Sequence, residues 1–114
     1  MPRRDGESQN KSMIARIWRG WAPGARADDY QRHFETEVSE HLRGVSGFRG
    51  AQLLRREANG TVTFTSVTWF TGMDAVREFA GDDYEQAVVE DAARAALSGW
   101  DENVSHHEVA LRVP

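Results

Sequence analysis

The chain has no cysteine. That removes a disulfide framework, a thiolate nucleophile and every cysteine-based zinc site. It has no apolar run near the roughly 18 residues a membrane-spanning helix requires. It also lacks an excess of basic residues. Its formal net charge is −4, whereas nonspecific nucleic-acid binding needs a basic surface. No phosphate-binding glycine loop, hydrolase nucleophile motif or dinucleotide fingerprint is present. Hydrophobic residues make up only 39% of the chain, so any core must be compact. Large flat side chains, in contrast, are plentiful, with four Trp in 114 residues. The length suits a single domain. Residues 1–12, MPRRDGESQNKS, are polar and aperiodic and lack the apolar stretch of a secretory signal. They read as a disordered tail on a cytoplasmic protein, with residues 13–114 as the folded domain.

The periodicity along that domain is clear. Met13 to Gly20 alternates as a strand, with Ile14, Arg16 and Trp18 on one side and Met13, Ala15 and Ile17 on the other. From about Arg26 to Arg43 the period becomes helical, and Tyr30, Phe34, Val38 and Leu42 form the apolar stripe. Gly44 and Ser46-Gly47 stop it. Phe48 to Glu57 and Val62 to Phe70 are strands joined through Asn59-Gly60, the strongest short hairpin signal. Thr71 and Asp74 have the spacing of a capping box for a helix ending near Gly81. A further helix is expected over roughly Tyr84 to Leu97 and a last strand over Val104 to Val113. The order β-α-β-β-α-β predicts an α+β domain, a ferredoxin-like four-stranded antiparallel sheet with its helices on one face.

The third strand, VTFTSVTWF, carries large apolar groups on both faces. Helices on one side cover only one of them. Val62, Phe64 and Phe70 are expected on the uncovered face. Leaving them wet would forgo about 5–9 kcal/mol, at roughly 1.5–3 kcal/mol per side chain. That is comparable to the whole stability of a small domain, about 5–15 kcal/mol. A second copy of the chain, packed sheet to sheet about a two-fold axis, supplies the missing layer, so a homodimer is expected.

Several stretches resemble a known family. MIARIWRG opens strand one, VSGFRGA leads into strand two, TWF closes strand three ahead of DAVREF, and HHEV lies in the last strand. Together they resemble the antibiotic biosynthesis monooxygenases, a family of dimeric α+β barrel proteins, over roughly Met13 to Val113. The resemblance implies a homodimer with an apolar pocket between sheet and helices. It also implies a cofactor-independent monooxygenase acting on an aromatic, phenolic or quinol small molecule. The alternative is a noncatalytic protein of the same fold that binds a small apolar ligand. The haem-degrading branch of such proteins uses a Trp at the end of strand three, an Asn on strand one and a His on the following helix. Trp69 matches the first, but Trp18 stands where the Asn would fall and the region Ala87 to Val89 has no His. Haem degradation by that route is therefore not expected.

Within this frame Trp18 and Trp69 are candidates to stack on a planar substrate, with Phe79 and Tyr84 as further lining. Arg16, on a central strand, either binds an acidic substrate or pairs with a carboxylate such as Glu108. His106 and His107 are adjacent and must point to opposite faces. His107 shares its parity with Val109 and Leu111 and is the expected buried one, while His106 is kept as a substrate contact. His107 or His41 is the candidate general base, because imidazole titrates near neutrality. His33, Glu37 and His41 have turn spacing, but His33 and His41 lie about 80° apart around the helix, with His33 expected to face water. No metal or cofactor is expected.

Overall fold

The computed structural model describes residues 13–114. The tail read at residues 1–12 lies outside the described residues. Strand β1 is Ile14–Pro23. It is followed by helix α1, Gly24–His33, which continues through a π-helical segment, Phe34–Val38, into α2, Ser39–Arg43. The hairpin strands are β2, Phe48–Ala58, and β3, Thr61–Phe70. Helices α3, Met73–Ala80, and α4, Asp91–Ala96, precede the short strands β4, Gly99–Trp100, and β5, Ser105–Glu108. The sheet is antiparallel in the order β2-β3-β1-β4, with β5 also pairing β1. This is the ferredoxin-like arrangement, with its fourth strand broken into two pieces along one edge of β1. At the hairpin, Asn59 and Gly60 both take positive φ, 55° and 79°, as a tight turn matching strand twist requires.

The core is built on the side of the sheet that the helices cover. Val62, Phe64 and Phe70 are fully buried there. The expectation that these three form the uncovered face is therefore reversed. They pack against Tyr30, Ala93 and Leu97 in one cluster and against Phe34, Leu42 and Val76 in the other. The opposite face keeps Ala15, Ile17, Val67 and Trp69 half-buried and Leu54 exposed.

Two helical expectations also change. Among the described residues no side chain caps α3; its N-cap is Gly72. Thr71 is engaged elsewhere, its backbone N–H donating to the carbonyl of Gly47 at 2.8 Å. The helix expected from Tyr84 shrinks to α4. Residues 81–90 form an irregular strap instead. Its backbone groups find partners in the β4–β5 connection: Ala87 N–H donates to Glu102 O at 2.8 Å, and Val104 N–H to Glu85 O at 2.7 Å. Once these long-range bonds satisfy the strap, a helical ladder is no longer required there.

Candidate functional site

The helix-facing row of β3 reads Val62, Phe64, Ser66, Thr68, Phe70. Two small hydroxyl residues interrupt a row of large apolar ones. Side chains that small cannot fill the space between sheet and helices, so a cavity opens over them between the two core clusters. It measures about 70 Å³ and is walled by Arg16 and Trp18 from β1, Tyr30, Phe34 and Val38 from the first helical layer, Phe79 from α3, and Val104. Ala87 and Val88 of the strap complete its lining. The π-helical segment places Phe34 and Val38 on this wall, and such segments occur often at functional sites. The indole of Trp18 is fixed by donating to Asp101 O at 2.6 Å.

Arg16 dominates the electrostatics. It is 7% exposed, yet among the described residues no carboxylate forms an ion pair with it. Glu108, its expected partner, sits opposite Ile14 instead. The guanidinium donates from Nη1 to Tyr84 O at 2.7 Å and contacts His106 Nε2 at 3.0 Å. It also stacks over the Phe79 ring, 5.6 Å from the centroid. Burial pulls its pKa down to about 10, so it stays charged at neutral pH.

A guanidinium has only donors. The contact with His106 is therefore a hydrogen bond only if Nε2 is unprotonated, which makes His106 a neutral imidazole with its proton on Nδ1. Its pKa falls from 6.5 to about 4, by burial first, then by the charges of Arg16 and His107. A depressed folded-state pKa means that the unfolded chain takes up a proton here while the folded chain does not. The resulting stability is complete above about 6.5 and lost as pH falls toward about 4. His106→Gln, which can still accept from Arg16, is expected to flatten that part of the profile. Melting curves of both proteins between these pH values, compared as a difference, check it.

The other expected site residues are distributed differently. Trp69 faces the opposite side of the sheet, in a cleft of about 510 Å³ with Met13, Gly50, Val109 and Leu111. His107, opposite Ala15, is exposed on that same side and bonds to Ser105 Oγ at 2.9 Å. It is His106, opposite Arg16, that turns toward the helices. His41 is exposed, its ring 4.7 Å from that of Phe79, and does not line the cavity. Tyr84 contributes its carbonyl, while its ring meets His106 edge-on at 5.4 Å. His33 is the buried helix histidine, bonded through Nδ1 to Glu37 at 2.8 Å. Tyr30, Phe34, Val38, Ser66 and Thr68 also line the cavity, and their signal in the sequence is the hydroxyl gap of the β3 row facing the apolar stripe of the helix.

The ferredoxin-like fold is shared with solved structures named antibiotic biosynthesis monooxygenases. A mutant form of SnoaB, a cofactor-independent oxygenase from Streptomyces nogalater, superposes with a TM-score of 0.65 at 17% identity, over 90% of this chain and 98% of that one. A candidate antibiotic biosynthesis monooxygenase of Caulobacter crescentus gives 0.66 at 18% identity, over 92% and 96% of the two chains. A heme-degrading protein of Mycobacterium tuberculosis gives 0.61 at 19% identity, over 90% and 96%. No protein-family model and no curated protein matches the sequence.

Proposed function

We propose that this protein is a cofactor-independent monooxygenase of the antibiotic biosynthesis monooxygenase kind, acting as a homodimer on a planar phenolic or quinol-type molecule. The observation that carries this reading is Arg16, a buried cation without a carboxylate partner at the wall of an aromatic cavity. Such a charge favours the anionic form of whatever lies beside it. An opposite charge within about 4–6 Å lowers an acidic group's pKa by roughly 1–3. Burial acts the other way, as it does on the phenol of Tyr30 in the same wall, which it pushes up, so Arg16 offsets that cost. The proton leaves to water, because the wall holds no free base among the described residues. His107 and His41 lie outside it, and His106 is engaged by Arg16.

The electron-rich anion passes an electron to O₂, and the two radicals join through a new C–O bond. The hydroperoxide then loses the carbon-bound proton and breaks its O–O bond. The balance is CH₂ plus O₂ giving C=O plus H₂O, with the substrate as the only reductant. Trp18, Tyr30, Phe34 and Phe79 would hold the ring and exclude water. The space of about 70 Å³ is smaller than the roughly 300–1,000 Å³ of ligand sites, so Ala87 and Val88 must move outward when substrate enters.

Haem does not fit these residues. Haem iron is held by imidazole, thiolate, thioether or phenolate. Among the described residues the cavity wall has no His, Cys or Met, His106 Nε2 is turned onto Arg16, and the one phenol, Tyr30, is kept protonated by burial. Trp69, the residue matching the haem-degrading pattern, lies on the other face of the sheet.

An oxygen electrode with anthrones and dihydroxynaphthalenes tests the proposal. Expected is uptake of one O₂ per product without added flavin or metal. Ligands that raise the melting temperature but consume no oxygen would identify a noncatalytic binding protein and overturn it.

A further inference from the structure

The two bonds that hold Arg16 in place both use Nη1. They account for its two N–H groups. Nε and Nη2 have no partner among the described residues, yet no buried side-chain nitrogen there lacks one. These two atoms are therefore not sealed inside the protein. Arg16 is 7% exposed and forms part of the cavity wall, and this edge is the part of its guanidinium left free to meet a ligand there. Nε–H and the adjacent Nη2–H lie parallel in one plane, the fork that accepts two oxygens of a single carboxylate. Phe79 stacks over the guanidinium face, leaving the edge as the direction of approach. The neighbouring hydroxyls do not compete, because Ser66 Oγ and Thr68 Oγ1 donate to the carbonyls of Trp18 and Arg16 at 3.5 and 3.4 Å.

We propose that the cavity takes a planar aromatic acid, its carboxylate held side-on by Nε and Nη2 of Arg16 and its ring against Trp18, Tyr30 and Phe34. A lone phenolate oxygen fills only one prong. This inference rests on the reading of the cavity as the ligand site and needs no turnover, and it gives Arg16 to a carboxylate in place of a phenolate, since a guanidinium neutralised on its fork no longer favours ionisation of a phenol beside it. Tyr84 O and His106 Nε2 are positioning groups: by occupying Nη1 they turn the fork toward the ligand.

Titration calorimetry of the full chain with 2-naphthoate and 2-naphthol tests it. Naphthoate is expected to bind about 10- to 100-fold more tightly, the range a charge-assisted two-bond contact supplies. Arg16→Lys keeps the charge and removes the fork, and should lose most of that preference while still binding naphthol. Naphthoate binding no tighter than naphthol in the native protein, including binding of neither, overturns the proposal without relying on a variant. Full preference retained in Arg16→Lys overturns it as well. Its failure is distinguishable from failure of the oxygenase reading. Preferential naphthoate binding without oxygen uptake on any substrate removes only the oxygenase, whereas oxygen uptake with equal affinities removes only the carboxylate fork.

Discussion

Replacing Arg16 with Met is expected to lower kcat/KM for oxygen uptake by about 10²–10³-fold, the usual loss when one preorganised oxyanion donor is removed. The same variant is expected to melt no lower than the native protein. The two halves follow from one balance. A buried guanidinium without a carboxylate carries a desolvation cost of several kcal/mol. Against it stand the bonds to Tyr84 O and His106 Nε2, each contributing about 1.5–3 kcal/mol, and a cation–π contact with Phe79 of roughly 0.5–2 kcal/mol. These terms nearly cancel, so Arg16 is not retained for folding. Met fills similar length without charge and packs on Phe79. Calorimetry and oxygen uptake on the same preparation give both numbers. A variant that unfolds while the residual folded fraction turns over normally would show Arg16 to be structural, and the site reading would fall.

Much of the fold is legible in local sequence. The Asn59-Gly60 turn, the alternation of the three long strands and the four-residue stripe from Tyr30 to Leu42 each depend on chemistry close in the chain. The losses come where long-range pairing decides. Both faces of β3 are apolar, and nothing within VTFTSVTWF says which one the helices cover. Only the packing of Phe64 on Tyr30, with ring centroids 4.9 Å apart, settles it. The parity of His106 and His107 depends on the register of β5 against β1, and the break between β4 and β5 hides that register from a count along the chain. The helical period at Tyr84, Val88 and Ala92 is real in the sequence. The strap's bonds to Glu102 and Val104 nevertheless outweigh it. His33 lies three residues on from Tyr30, about 60° around the helix, and belongs to the buried side. Of the candidate site, Arg16, Trp18 and Phe79 could be named from sequence and lie together in the cavity wall. The cavity itself becomes visible only when Ser66 and Thr68 are read as missing volume rather than as polar surface.

Val67→Asp is expected to convert a dimer into a folded monomer. Val67 sits at the middle of the open sheet face, opposite Ile17 of β1 on one side and Gln52 of β2 on the other. With Ala15 and Trp69 it forms the apolar part of the surface that the helices leave uncovered. A contiguous apolar face of this kind is rare on a monomer. Reversing the two faces of β3 therefore moves the proposed interface from Val62, Phe64 and Phe70 onto Ile17, Val67 and Trp69, without removing the reason for it. Two sheets packed face to face lie about 10 Å apart, and a carboxylate at the centre of that layer would be buried without a partner, at a cost of several kcal/mol. The two-fold axis introduces it twice. An increase of at least about 10³-fold in the dissociation constant follows, at about 1.4 kcal/mol per factor of ten. In the separated protomer the same Asp faces water and the helix-side core is untouched, so the monomer should keep its fold. Sedimentation velocity at micromolar concentration distinguishes the outcomes. The native chain should run at twice 12.8 kDa and the variant at 12.8 kDa. A native protein that sediments as a single well-folded chain would mean that this face is tolerated wet, and the homodimer would have no remaining support.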